Sequence, residues 1–331
     1  MILILSHAED PHALVVMQHL DRLGAEHRLL DLSRFPRDAR LQCRYGADGV
    51  ALTLDDRDGS TIDFAAVRAV WWRRPQPYGF EDQAASLGFA ANECDEAMQG
   101  LWLALDARWL NPPLEDGAAH RKSWQLKLAV ALGLDIPETL ITNSAGAARA
   151  FLASVDRAVY KPFSGTPDHW RETRLFGKAE LASLPLIRHA PVILQAFVPG
   201  IDYRVTVVGR QIFAAAIDAR DGNYPVDFRM NKAVRITPAT LPADLERRIH
   251  ALMDRLGLVY GAIDLRRDDR DGCFRFLEIN PAGQWLFVEQ QTGQPIAAAI
   301  ADQLAALAAA PAPARPDSTR PVPASEAEPV A

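Results

Sequence analysis

A chain of 331 residues with 49% hydrophobic content can bury a substantial core, spread over two or three subdomains. Its net charge of −6 lacks the basic footprint that nucleic-acid binding needs. Its three cysteines, Cys43, Cys94 and Cys273, form no CxxC pair, which argues for a reducing compartment and against structural zinc. With no basic leader and no apolar stretch of bilayer-spanning length, a soluble cytoplasmic protein is expected, with neither nucleic acid nor membrane as partner.

Ile2 to Leu5 is a continuous apolar run, the mark of a strand buried on both faces of a parallel sheet. A helical pattern from Pro11 to Leu23 closes at Gly24, and an apolar strand follows near Arg28 to Leu32. This β-α-β opening predicts a small doubly wound domain without the GxGxxG of a dinucleotide site. Leu41 to Phe64 predicts a hairpin around Asp55-Asp-Arg-Asp-Gly59. Ala69 to Trp72 is a strand that runs into Arg73, Arg74 and Pro75. Paired arginines there are either a solvated rim or a receiver for an anionic or peptidic ligand. A helix from about Glu81 to Leu105 then leads to Trp109-Leu-Asn-Pro-Pro113, whose proline pair marks the first domain boundary.

From Gly117 to Gly133 the spacing predicts one helix closed by glycine. Lys122 projects from its apolar side, either snorkelling or reaching a phosphate. A short strand from Ile136, a helix near Ala145 to Ser154 and a strand Ala158 to Lys161 follow. Lys161 enters the loop Ser164-Gly-Thr-Pro-Asp-His-Trp-Arg-Glu-Thr173, whose amides at Ser164 and Gly165 can cradle phosphate although no Walker A motif exists. Pro191 to Asp218 reads as three strands, with Asp202 and Arg204 on one face by the two-residue period. Asp227-Phe-Arg229 lies in an irregular segment before a short strand, Ala233 to Ile236. A helix Ala243 to Leu256 comes next; after Trp285 a last helix runs to about Ala310, and the Pro/Ala-rich residues 311–331 are expected to be disordered.

The densest chemistry lies from Leu258 to Trp285, two apolar strands around an Asp-Gly turn at Asp268 to Gly272. Glu278 and Asn280 share a face, and Asp264 sits as far before the turn as Glu278 lies after it. Two carboxylates and an amide oxygen among apolar neighbours suit a hard cation, Mg²⁺ above all, because it takes few protein oxygens. The alternatives are a surface hairpin with its acids in water, or an EF-hand loop. Arg267 at the first ligand position and the flanking strands exclude the EF-hand.

In order along the chain, Lys122, Lys161 before a Gly/Ser loop, Gln195-Ala-Phe-Val198, Asp202-Tyr-Arg204, Arg229-Met-Asn231, Asp264 and Glu278-Ile-Asn280-Pro-Ala-Gly-Gln resemble the ATP-grasp superfamily over roughly residues 112–308. Val70-Trp-Trp-Arg73-Arg74-Pro, Leu110-Asn-Pro-Pro, Gln125-Leu and Asn280-Pro-Ala-Gly-Gln284-Trp are similar to the RimK-like graspetide synthetases of the MvdD/MvdC type. The resemblance implies an α/β ATP-grasp fold behind a doubly wound pre-ATP-grasp domain. It implies an N-terminal domain 1–111, a central subdomain 112–190, a C-terminal subdomain 191–310 and a tail 311–331. It also implies ATP and two Mg²⁺ ions as cofactors, with Lys122, Lys161, Ser164 and Gly165 at the phosphates. The Gln195 to Val198 backbone, including Phe197, would pair with adenine and Asp202 would lie near the ribose. Asp264, Glu278 and Asn280 would hold the metal, and Arg204 and Arg229 would stabilise the transferring phosphoryl group. The implied partner is a precursor peptide with a leader segment, closed into ester or amide rings through an acyl phosphate. Arg73, Arg74 and Asp227 are candidate peptide contacts, Ser164 to Thr173 a candidate lid, and a homodimer is a family-level expectation. Rival readings are a ligase for free amino acids or short peptides, as in RimK or glutathione synthetase relatives, and a non-catalytic ATP-binding module.

Overall fold

The computed structural model describes residues 1–81, 87–163, 174–219 and 234–311. Ser164, Gly165 and the rest of the candidate lid, Asp227, Arg229 and the tail beyond 311 lie outside the described residues.

The chain opens with β1 (Ile2–Leu5), α1 (Pro11–Arg22) and β2 (His27–Leu30). Asp10 caps α1 by accepting from the His12 N–H, with Pro11 supplying the first helical position. A three-stranded antiparallel sheet follows: β3 (Ala39–Gly46), β4 (Gly49–Asp56) and β5 (Thr61–Asp63). The expected hairpin is therefore two hairpins. The tight turn lies at Ala47-Asp48 between glycines, and the Asp55–Gly59 segment joins β4 to β5. Then come β6 (Ala69–Trp72), α2 (Leu87–Ala104) and β7 (Arg108–Leu110).

Strands β2-β1-β6-β7 form a parallel sheet covered on both faces. Ile2 and Ile4 meet Val16 and Leu20 of α1 on one side, and Leu3 and Leu5 meet Met98 and Leu101 of α2 on the other. The chain order reverses between β1 and β6, and just past their carboxyl ends Ser6, Asp10 and Arg73 are buried. Arg73 reaches from there to the loop after the last strand of the site described below.

The expected helix 117–133 is two helices, α3 (Pro113–Ala119) and α4 (Lys122–Ala131). Arg121 is extended between them, and the buried Gln125 side chain donates to the Ala119 carbonyl at the break. Lys122 thus starts a helix instead of projecting from its middle.

The next sheet, β10-β9-β11-β8, comes from β8 (Thr139–Thr142), β9 (Ala158–Lys161), β10 (Arg174–Leu175) and β11 (Val192–Ala196). It packs against α5 (Ala145–Ser154), and α6 (Lys178–Ser183) lies nearby in sequence. The largest sheet, β14-β13-β12-β15-β16, is antiparallel: β12 (Gly200–Val208), β13 (Gln211–Asp218), β14 (Arg235–Ala239), β15 (Tyr260–Asp268) and β16 (Phe274–Asn280). One face packs on α4 and on α7 (Ala243–Leu256) through Val205, Val207, Ile263 and Ile279.

The expected last helix is also two, α8 (Leu286–Thr292) and α9 (Ile296–Ala309), because Gly293 closes the first in the left-handed region and Pro295 caps the second. Helix α9 returns across the N-terminal sheet, so Ile296, Ile300 and Leu304 share one core with Ile4, Trp71, Leu110, Val208 and Tyr260. Among the described residues no helix is long and apolar enough to cross a membrane.

Candidate active site

The two-residue period of β12, β15 and β16 sets the site. Arg204 pairs across the ladder with Asp264, and Asp264 pairs with Glu278. A bulge after Asp264 puts Leu265 opposite Phe276, so the register shifts by one residue between the site and the turn. Arg204 Nη1 donates to Asp264 Oδ1 at 2.7 Å, and Lys122 Nζ donates to Glu278 Oε2 at 2.6 Å. The sheet edge at β16 is held by Gln125: its amide donates to the Ile279 carbonyl at 2.8 Å and accepts from the Ile279 N–H at 3.1 Å. Ile279 lies between Glu278 and Asn280, so this double bond fixes the strand that presents both. Gln125 has 1% exposure, so breaking the pair strands buried polar groups.

Lys161, at the end of β9, donates to Gln195 Oε1 at 2.9 Å, while Gln195 Nε2 donates to Thr139 Oγ1 at 2.9 Å. Gln195 therefore orients a lysine with its side chain, a role its place in the hinge did not suggest. Burial pushes the Lys161 ammonium below its usual value, with Lys122 adding to that; Glu278, Asp264 and Asp202 oppose the shift without reversing it. For Glu278, burial raises the carboxyl, but Lys122 and Lys161, with Arg204 behind them, outweigh it and hold it at about 2. The site is thus an alternating array of charges, Arg204–Asp264 and Lys122–Glu278, with Lys161 close enough to act on both carboxylates.

Could this array hold a cation? Asp264 and Glu278 each have one oxygen engaged by a cationic side chain, and Asn280 Oδ1 accepts from the Ala282 N–H at 3.0 Å. Each carboxylate keeps a second oxygen, and the amide oxygen keeps a second lone pair. Among the described residues no group of three or more His, Cys, Asp and Glu gathers to cage an ion. A thin set of two carboxylates and one amide fits Mg²⁺ shared with phosphates.

In the hinge, Ala196 N–H donates to the Glu138 carbonyl and Phe197 N–H to the Arg157 carbonyl. The Phe197 ring lies 4.4 Å from the Arg157 guanidinium and 5.5 Å from that of Arg266. Asp202 is ion-paired to Arg266 at 3.0 Å, a partner not anticipated from the sequence.

Arg73 is neither a solvated rim nor a peptide contact. At 1% exposure it forms a 3.1 Å ion pair with buried Asp10 and donates to the Ala282 carbonyl at 2.7 Å, leaving no surface for a peptide. Arg74 is exposed. Asn111, read from the sequence only as part of a breaker, is a four-bond clamp. It donates to the Tyr260 and Pro281 carbonyls and accepts from the Val259 and Tyr260 N–H groups. His12 lies edge-on to Trp285 at 5.0 Å; burial first, then Arg73, lowers its pKa to about 4.

The fold that carries these side chains is matched in known structures. The macrocyclase MdnC of Microcystis aeruginosa MRC, bound with its precursor peptide MdnA, superposes with a TM-score of 0.82 at 28% identity, over 92% of this chain and 98% of that one. A RiPP-associated ATP-grasp ligase of Chryseobacterium gregarium, in complex with ADP and a leader and core peptide, gives 0.85 at 27%, over 94% and 97%. The chain has the ATP-grasp fold. Residues 1–116 match the MvdD pre-ATP grasp domain, so the likeness to graspetide-type ATP-grasp ligases extends through the N-terminal region. The ATP-grasp ligase PsnB, complexed with a minimal precursor, Mg and ADP, shares the fold with a TM-score of 0.76 at 24% identity, over 93% and 97%. No curated protein sequence matches the chain.

Proposed function

We propose that this chain is an ADP-forming ATP-grasp ligase that joins an Asp or Glu side chain to a Ser, Thr or Lys side chain of one ribosomally made precursor peptide. The observation that carries this reading is the array of Lys122, Glu278, Asp264 and Arg204, with Lys161 beside it, on an ATP-grasp scaffold. Its likeness to ligases solved with precursor peptides favours a peptide over free amino acids. The working parts are residues 1–111, 112–190 and 191–310. A leader segment bound away from the chemistry would raise the effective concentration of the core. The cytoplasm, a homodimer and two Mg²⁺ ions complete the reading.

A carboxylate does not yield to an amine or alcohol at neutral pH, because its leaving group would be an oxide. Phosphorylation by ATP makes an acyl phosphate, and that step is mostly positioning plus charge neutralisation. Lys122 and Lys161 each have one N–H committed, to Glu278 and Gln195, and two left for phosphate oxygens. The backbone from Gln195 to Val198 would pair with adenine, its Ala196 and Phe197 amides being bonded within the protein. Arg204 places fixed positive charge where the phosphoryl group moves. Asp264, Glu278 and Asn280 would hold Mg²⁺, which neutralises and orients the phosphates when bound.

The test is incubation with the precursor peptide, ATP and Mg²⁺, read by mass spectrometry and nucleotide analysis. Loss of one water per ring with ADP released is expected; release of AMP refutes the acyl-phosphate route.

A further inference from the structure

The two lysines of the site are held in different ways. Lys122 meets a carboxylate, Glu278, whereas Lys161 makes no ion pair among the described residues and donates to the neutral Gln195 Oε1 at 2.9 Å. The pairing of β11 with β8 and β9 puts this contact on one face of the sheet. Gln195 lies directly opposite Thr139, and Lys161 lies opposite Ile193, two residues from Gln195. The Thr139 hydroxyl donates to the Pro137 carbonyl at 2.8 Å, and a carbonyl can only accept. A hydroxyl has one hydrogen, so Thr139 Oγ1 meets Gln195 as an acceptor and receives Nε2–H at 2.9 Å. That leaves Oε1 as the end of the amide turned to the lysine. The polarity of the chain of bonds from Pro137 to Lys161 is thereby set, and at 4% exposure Gln195 has little water to replace a lost partner.

We propose that Thr139 and Gln195 are positioning residues for the phosphate end of a nucleotide: they hold Lys161 with a neutral acceptor of fixed polarity, which leaves the charge of the ammonium for the phosphates. This rests on the nucleotide reading above. The array has three cations, Arg204, Lys122 and Lys161, and two carboxylates, Asp264 and Glu278. The ion pairs Lys122–Glu278 and Arg204–Asp264 engage both carboxylates, so Lys161 is the cation left over. A carboxylate in the place of Gln195 would hold the ammonium more tightly but cancel that excess charge. A neutral amide orders the lysine and cancels nothing.

The test is calorimetric titration of the full chain with ADP and with adenosine, both without Mg²⁺. The ratio of the two affinities reports the phosphates and cancels a disturbance at the adenine end. Gln195→Glu keeps the shape and turns the hold on Lys161 into an ion pair. The ratio is expected to fall at least about tenfold, because a negative charge is added close to the phosphates. A residue that merely braces the lysine predicts no such fall, since the brace is strengthened. Thr139→Val keeps the branched shape and removes the acceptor, and the ratio is expected to fall about threefold, the worth of one hydrogen bond. Thr139→Ser keeps the hydroxyl and is expected to keep the parental ratio. An undiminished ratio in Gln195→Glu or in Thr139→Val, or a ratio in Thr139→Ser as low as that in Thr139→Val, overturns the proposal. Should Gln195→Glu fail to fold, the two Thr139 variants decide it by the same ratio. If the parent itself binds ADP no better than adenosine, it is the nucleotide reading that fails, and this one with it.

Discussion

At Gly283 an added Cβ would come within 2.4 Å of the Ala262 Cβ and 2.9 Å of Arg204 Nη2. Neither neighbour can yield cheaply, because one is fixed to the β15 backbone and the other is pinned between Asp264 and the Gln284 carbonyl. Gly283→Ala is therefore expected to push the loop outward and carry Arg204 with it. Steady-state kinetics on a variant with parental circular dichroism should show a loss of about 100-fold in kcat/KM, the scale of an ångström's misplacement. Gln125→Leu is a stability test at the same scale. It strands the Ile279 N–H and carbonyl and the Ala119 carbonyl, and should cost about 3 kcal/mol in urea unfolding. That Asp264 faces Glu278 across the hairpin was legible in the sequence because strand period and turn position are local facts. Arg73 was not, since its partners lie 63 and 209 residues away and nothing local says that it is buried.

Elements were read well where periodicity decided them, as with β1, α5, α7 and the β15–β16 hairpin, and less well where a side chain ended them. The break between α3 and α4 depends on Gln125 reaching back to Ala119, a contact that no propensity encodes. The split between α8 and α9 was signalled by Gly293 and Pro295, and giving weight to that pair would have found it. Helix α9 matters because its apolar face serves both the N-terminal sheet and the largest sheet. Leu304→Ala should cost about 3 kcal/mol, the usual price of a buried leucine cavity. Thermal unfolding should remain one transition reporting both regions. Two separated transitions would contradict the shared core.

For the whole molecule, acid stability carries the signature of His12. Its folded pKa of about 4 lies below the ordinary 6.5, so between those values the unfolded chain binds the extra proton. Stability should fall as pH drops from about 6.5 to about 4, by on the order of 3 kcal/mol, and level off below. His120 is shifted the other way, raised by its hydrogen bond to Asp116. Its contribution is present below 6.5 and fades as pH rises through its folded value, and at 48% side-chain exposure it is small. Urea titrations at pH 7 and pH 5 should therefore differ for the parent and converge for His12→Phe.

Under the proposed function, Asp264, Glu278 and Asn280 hold a divalent cation against nucleotide phosphates opposite Lys122 and Lys161. Calorimetric titration of ADP into the parent and into Glu278→Gln, each with and without Mg²⁺, tests it most directly. Mg²⁺ should tighten ADP binding to the parent and do so at least about tenfold less for the folded variant. An equal Mg²⁺ gain in both proteins would mean that Glu278 does not hold the cation.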